Sequence, residues 1–177
     1  MATIFLDNDE QFNWSDKDDT FVGTEGSESV LISQGATGAT VNFTIERVDT
    51  SAALGDHTFT FTQAGDLEVS VGGTTVATFT SVPGSGVDLR ATDGNVTITN
   101  DFDSGAFVIA NPGDSSDSAS VSQGNSLDGG SLGITPGGDT SESLTGNGGG
   151  TGGGTGGDFT LTESSNTVEE GGSTTVT

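Results

Sequence analysis

The chain has 177 residues and sets 26 Asp and Glu against 3 Lys and Arg, a net charge of -23. Binding to nucleic acid or to an anionic membrane surface needs Lys and Arg to displace counterions from phosphate, so this balance excludes both as partners. The same charge favours solubility and draws divalent cations. With no Cys there is neither a disulfide nor a thiolate metal site.

The opening MATIFLDNDEQFNW has no basic n-region and no apolar h-region, so no cleavable secretory leader is expected. No window approaches the ~18 apolar residues of a membrane span, so membrane insertion is not expected either. Large apolar side chains concentrate before about residue 113 and thin out sharply after it. That asymmetry predicts one β-rich N-terminal domain over 1–113.

Taken in chain order, strands are expected at 30–32 and 41–48, with a turn at 35–38. The clearest pattern runs from His57 to Val82. His57-Thr-Phe-Thr-Phe alternates Phe59 and Phe61 with Thr, the period-2 signature of a half-buried strand. Gly65 then supplies a turn, Leu67 to Val71 alternates again, and Gly72-Gly73 is a hairpin signal. A β-branched run returns from Thr74 until Pro83-Gly84, which completes a three-stranded antiparallel meander. Further strands are expected at 87–90, 96–99 and 106–110, with turns at Asp93-Gly94 and Asp103-Ser-Gly105. No segment carries the 3.6-residue period of a long helix. The fold class is all-β, and the pattern leaves open a sandwich, a barrel or a β-solenoid.

Residues 114–157 are rich in Ser, Asp, Gly and Thr and end in a glycine run, so they read as a disordered acidic linker. From 158 to 177 alternation returns, around Phe159-Thr-Leu-Thr and Ser173-Thr-Thr-Val-Thr. Two short strands do not stand alone, so this stretch reads as the start of a second β-domain in a longer chain.

The residues that carry chemistry are carboxylates. Asp7 and Asp9 open like a calcium loop, although Phe12 stands where that loop needs Gly and Asp18 where it needs Glu. Asp16 and Asp19 follow closely, and Asp101-x-Asp103-Ser-Gly105 is a similar fragment. Hard carboxylate oxygens recurring beside glycine at strand ends make calcium the expected ligand. Solvated acidic turns are the competing reading of each cluster. Catalysis would rest on the single His57, read here as a strand-end surface residue, and no nucleophile elbow or phosphate loop occurs. The chain is therefore not expected to be an enzyme. Trp14 and Phe12 lie two residues apart, on one face if extended. They either cap a sheet edge or present an aromatic patch to carbohydrate.

Asp19-Thr-Phe-Val-Gly-Thr-Glu-Gly-Ser-Glu-Ser-Val-Leu resembles a degenerate pair of the calcium-binding nonapeptide repeats of RTX proteins. Gly23 and Gly26 fall on glycine positions, Glu28 stands where that repeat has Asp, and Val30 takes the apolar position. Asp19 and Phe21 lie nine residues earlier in the same register; Thr24 replaces the second glycine. The stretch from Phe21 through Ile45-Glu-Arg-Val-Asp49, Arg90-Ala-Thr-Asp-Gly94 and Phe107-Val-Ile-Ala110 resembles an N-terminal module of large repeat-rich secreted bacterial proteins. Phe159-Thr-Leu-Thr with Thr167-Val-Glu-Glu-Gly resembles the opening of an Ig-like or Calx-β-type repeat. These resemblances imply an S-layer-like or adhesin protein at the cell surface or outside the cell, exported by type I secretion. They imply a non-enzymatic structural or adhesive role, with other copies of the chain or cell-surface glycans as partners. A carbohydrate-binding module using Trp14 and Phe12 is the alternative.

Overall fold

The computed structural model describes residues 1–137, apart from Glu25, Phe43 and Pro83. The expected second β-domain at 158–177, and the part of the linker beyond 137, lie outside the described residues.

The described residues are all-β, as two mixed sheets of seven strands packed face to face. Its first part alternates between the sheets. β1 (Thr3–Phe5), β3 (Thr20–Val22) and β5 (Ala39–Val41) lie side by side in the first sheet, while β2 (Gln11–Trp14), β4 (Ser29–Ile32) and β6 (Arg47–Thr50) lie side by side in the second. All neighbours within each set are parallel. Parallel strands need a crossover connection. Here the crossover from one strand to its parallel neighbour is the intervening strand of the opposite sheet. The result is a stack of rungs. In the second sheet Gln11 sits opposite Ser29, and Ser29 opposite Arg47, a step of 18 residues each time.

After a short 3-10 turn at Leu54–Asp56, the chain stops stacking and begins to fold back on itself. β7 (His57–Phe61), β8 (Leu67–Val71) and β9 (Thr74–Phe79) form the expected meander, and β9 lies parallel to β5. Gly72 and Gly73 both have positive φ, 57° and 79°, as a tight hairpin turn of matching twist requires. β10 (Val87–Ala91) joins the second sheet parallel to β6, and β11 (Gly94–Asp101), β12 (Ala106–Asn111) and β13 (Asp114–Ser122) extend it antiparallel. β14 (Ser126–Asp128) returns to the first sheet and pairs with β7.

The core lies between the sheets, where inward-facing residues form rows that cross many strands. One row of the first sheet runs Ile4, Phe21, Val41, Phe79, Leu67, Phe61. In the second sheet Phe12, Val30, Val48, Leu89 and Val96 are aligned in the same way. All of these except Ile4 and Phe12 are buried, and those two pack against the same cluster. Burial of apolar surface at ~25 cal/mol per Å² makes these rows the main stabilising element.

Two expectations are corrected, and three strands are added. The run 41–48 is not one strand: one strand ends at Val41 and another begins at Arg47, and Val41 and Val48 face the core from opposite sheets. The domain does not end at 113. Residues 114–122 and 126–128 are strands, and Val121 and Leu132 are buried in the core. Their sparse apolar residues suffice because strand pairing satisfies the backbone while few side chains face inward. The strands at 3–5, 11–14 and 20–22 were not anticipated; three or four residues are too short for alternation to register.

Candidate functional site

The alternation between sheets sorts the acidic turns into two stacks. The links from Phe5 to Gln11, from Val22 to Ser29 and from Val41 to Arg47 lead from the first sheet to the second, and turns 15–19 and 33–38 lead back. Hydrogen bonds run within each stack: Ser27 N donates to Asp9 Oδ1 at 3.2 Å, Glu28 N to Glu46 Oε2 at 2.9 Å, and Asp18 N to the Thr37 carbonyl at 3.0 Å. Asp7, Asp9 and Glu28 therefore belong to one stack, and Asp16 and Asp19 to the other. The nine-residue register between Asp19 and Glu28 places them in different stacks, so they do not share a site. In the stack that leads into the second sheet the relation is 18 residues, which sets Glu10, Glu28 and Glu46 at equivalent places just before β2, β4 and β6.

Asp19 is occupied by the fold. It accepts from Ala2 N and from Trp14 Nε1 (3.2 Å) and lies 3.8 Å from the N-terminal ammonium. Those hydrogen bonds, the Ala2 one foremost, hold its carboxyl below the usual aspartate value. Trp14 is 3 % exposed and meets the Phe21 ring edge-on at 5.5 Å, while the half-buried Phe12 tilts against Phe21 at 5.9 Å. Both aromatic residues belong to the core, so an aromatic patch for carbohydrate does not form from them.

Asp7 and Asp9 are exposed at the first turn. Asp7 Oδ1 accepts from Asn8 N, and Glu10 reaches back to Asp7 N. Asp16 is exposed and its carbonyl accepts from Thr37 N. Asp101 accepts from Asp103 N and from both the backbone and hydroxyl of Ser104. The Ser104 hydroxyl is the main reason its carboxyl is held low. Asp101 thus organises the β11–β12 hairpin, with Asp103 exposed at the tip.

Glu28 is the exception. Its residue is fully buried, Oε1 has a long 3.4 Å contact from the Thr24 hydroxyl, and Oε2 has no hydrogen-bond partner among the described residues. Half-buried Glu46 approaches from the next turn, and burial, helped by the nearby Glu28 carboxyl, pushes its own carboxyl up. Glu46 was absent from the sequence-based candidates, although the 18-residue spacing of the three glutamates is visible in the sequence. No cluster of three acidic or imidazole side chains converges among the described residues.

His57 is not on the surface, as its strand-end position suggested, but wholly buried. Nδ1 lies 2.7 Å from the Ala53 carbonyl and Nε2 2.9 Å from the Thr50 hydroxyl. The carbonyl can only accept, so Nδ1 carries the proton and Nε2 accepts from Thr50. Burial lowers its pKa and keeps the ring neutral. Arg47 forks onto buried Asp49, with contacts of 2.9 to 3.2 Å, and Arg90 stands opposite Asp49 in the parallel register. These charges tie β6 to β10. A cleft of about 280 Å³ opens between the 33–37 turn, the end of β6 and the β8–β9 hairpin. Hydroxyl and aliphatic side chains such as Thr50, Thr74, Ile32 and Val76 line it, and none of its lining residues titrates.

Compared with known protein families, curated proteins and solved structures, the chain gives no match. Its class is defined by its own architecture: a two-sheet β-sandwich whose first part is stacked parallel rungs and whose remainder is antiparallel meander.

Proposed function

We propose that this chain is a non-enzymatic structural or adhesive module of a large secreted or cell-surface bacterial protein, with calcium ordering its acidic turns. The observation that carries the reading is the stack of parallel rungs, whose second-sheet strands repeat every 18 residues, twice the nonapeptide period, with carboxylates at the turns. Stacked rungs make a stiff spacer whose strength comes from neighbour-to-neighbour rows. A net charge of -23 would keep the turns apart where calcium is scarce and let them close where it is abundant. Its partners would be further copies of the chain or surface glycans. Protease shaving of intact native cells tests the location. Release of peptides from residues 1–137 without lysis is expected, and their recovery only after lysis would overturn the reading.

A further inference from the structure

We infer that the open end of the rung stack, the free edges of β1 and β2, is a docking surface for a second copy of this chain, paired edge to edge about a two-fold axis. This deepens the self-association part of the reading above and rests on it.

Three observations converge on that end. Among the described residues β1 pairs only with β3 and β2 only with β4, so each sheet stops there. The Ala2 carbonyl and Leu6 N bond to β3, and the Glu10 and Trp14 carbonyls accept from Ser29 N and Ser33 N. Alternation along a strand therefore turns the backbone groups of Thr3, Phe5, Gln11 and Asn13 to the open edge, and all four residues are exposed. Next, both core rows end unclosed, since Ile4 and Phe12 are their first members and the ones only partly buried. Two of the three large apolar side chains exposed among the described residues, Met1 at 97 % and Phe5 at 70 %, belong to the same rung. Finally, the edge carries none of the devices that keep strand edges apart. Thr3–Phe5 and Gln11–Trp14 hold no charge and no Pro, in a chain with 26 acidic residues. The edge strand at the far end of the second sheet, β13, carries Asp114 and Asp117, and its pairing with β12 slips register beyond Ala110.

Charge selects the occupant. Self-pairing at β13 would crowd the aspartates of two copies together, whereas β1 and β2 meet their own copies with no charge in the seam. A two-fold axis normal to the sheets runs each of these strands antiparallel to its equivalent, so both sheets continue across the junction. With Ile4 set against its own equivalent, the edge-facing amides of Thr3 and Phe5 pair across the seam. The row Ile4–Phe21–Val41 then runs on from one copy into the other. The cost lies at the rim. Exposed Asp7, Asp9 and Glu10 of one copy approach exposed Asp16 and Asp18 of the other, offset in part by Lys17. Salt screens repulsion between exposed charges, so the junction closes at high ionic strength and opens at low.

Sedimentation velocity of the full chain, over a concentration series and from about 0.01 M to about 1 M sodium chloride, is the test. That range shortens the Debye length from about 30 Å to about 3 Å. A monomer–dimer equilibrium is expected, with the dimer gaining as salt rises and no larger species, because a two-fold contact is closed. Gln11→Glu combined with Asn13→Asp keeps the side-chain shapes and puts like charges across the seam. This double variant should dimerise roughly tenfold or more weakly, and Thr3→Glu should do the same through β1. Ser118→Glu, exposed on β13, should dimerise as wild type does. The Thr3 and Phe5 amides should exchange with deuterium more slowly as the dimer forms. A monomer at every concentration and salt would overturn the proposal and leave the surface location, read by protease shaving, standing. Slow exchange at Thr3 and Phe5 in such a monomer would put another segment of the same chain on the edge. A dimer lost in Ser118→Glu and kept in the double variant would also overturn it, by placing the seam at β13.

Discussion

Phe21→Ala tests the stacked-rung core most directly. Phe21 is the middle of the row Ile4–Phe21–Val41, is 0 % exposed, and carries ring contacts to both Phe12 and Trp14. A buried Phe removes about 200 Å² from water, which at ~25 cal/mol per Å² is an upper bound of about 5 kcal/mol. Measured truncations of buried Phe cost about 3–5 kcal/mol, because the cavity only partly collapses. We expect a loss of about 4 kcal/mol. For a folded unit of this size, that lowers Tm by about 10–15 °C. Urea titration followed by circular dichroism and by the single tryptophan reads it, since Trp14 is buried and enters water only on unfolding. Phe102→Ala, at a site 75 % exposed, is the control and should stay within about 0.5 kcal/mol. A loss below about 1 kcal/mol for Phe21→Ala would refute the reasoning, because β3 would then not be sandwiched between β1 and β5.

The buried imidazole gives a pH prediction. Folding lowers the His57 pKa from 6.5, so its contribution is complete above about pH 6.5 and is lost as pH falls below that value, at a slope of at most about 1.4 kcal/mol per unit. Glu46 and Asp49, both pushed up chiefly by burial, act in the opposite sense: their contribution is complete below their ordinary values of 4.5 and 3.8 and is lost as pH rises through the folded ones. The comparison is therefore wild type against His57→Gln, whose stability difference should shrink on going from about pH 7.5 to 5.5. A constant difference would show that His57 is not held neutral. Truncation after residue 113 removes β13 and β14 and takes Val121 and Leu132 from the core, about 1.5–3 kcal/mol each. Residues 1–113 should melt well below residues 1–137, and equal melting temperatures would restore the earlier boundary.

The His57–Val82 meander was legible because five- and six-residue strands repeat the period-2 pattern often enough to be seen, and Gly72-Gly73 fixes the turn between two of them. Strands of three or four residues hold only one or two inward side chains, so β1, β2 and β3 left no such trace. β13 was misread for a different reason. Its composition is that of a linker, and only pairing with β12, with Val121 opposite Phe107, gives it a place. At the candidate site, Glu28 could be found from its glycine-flanked position, while its partner could not be found at a spacing of nine.

The sequence by itself determined the all-β class, the turns, and a charge that draws cations and repels phosphate, because these are local or additive properties. Only the tertiary structure decided which turns stack, since a chain alternating between two sheets brings together residues 18 apart and separates those nine apart. That choice buried Trp14, took Asp19 into the fold, and left Glu28 Oε2 buried without a donor among the described residues. Burial and partnership are properties of pairs of segments, and no single segment carries them.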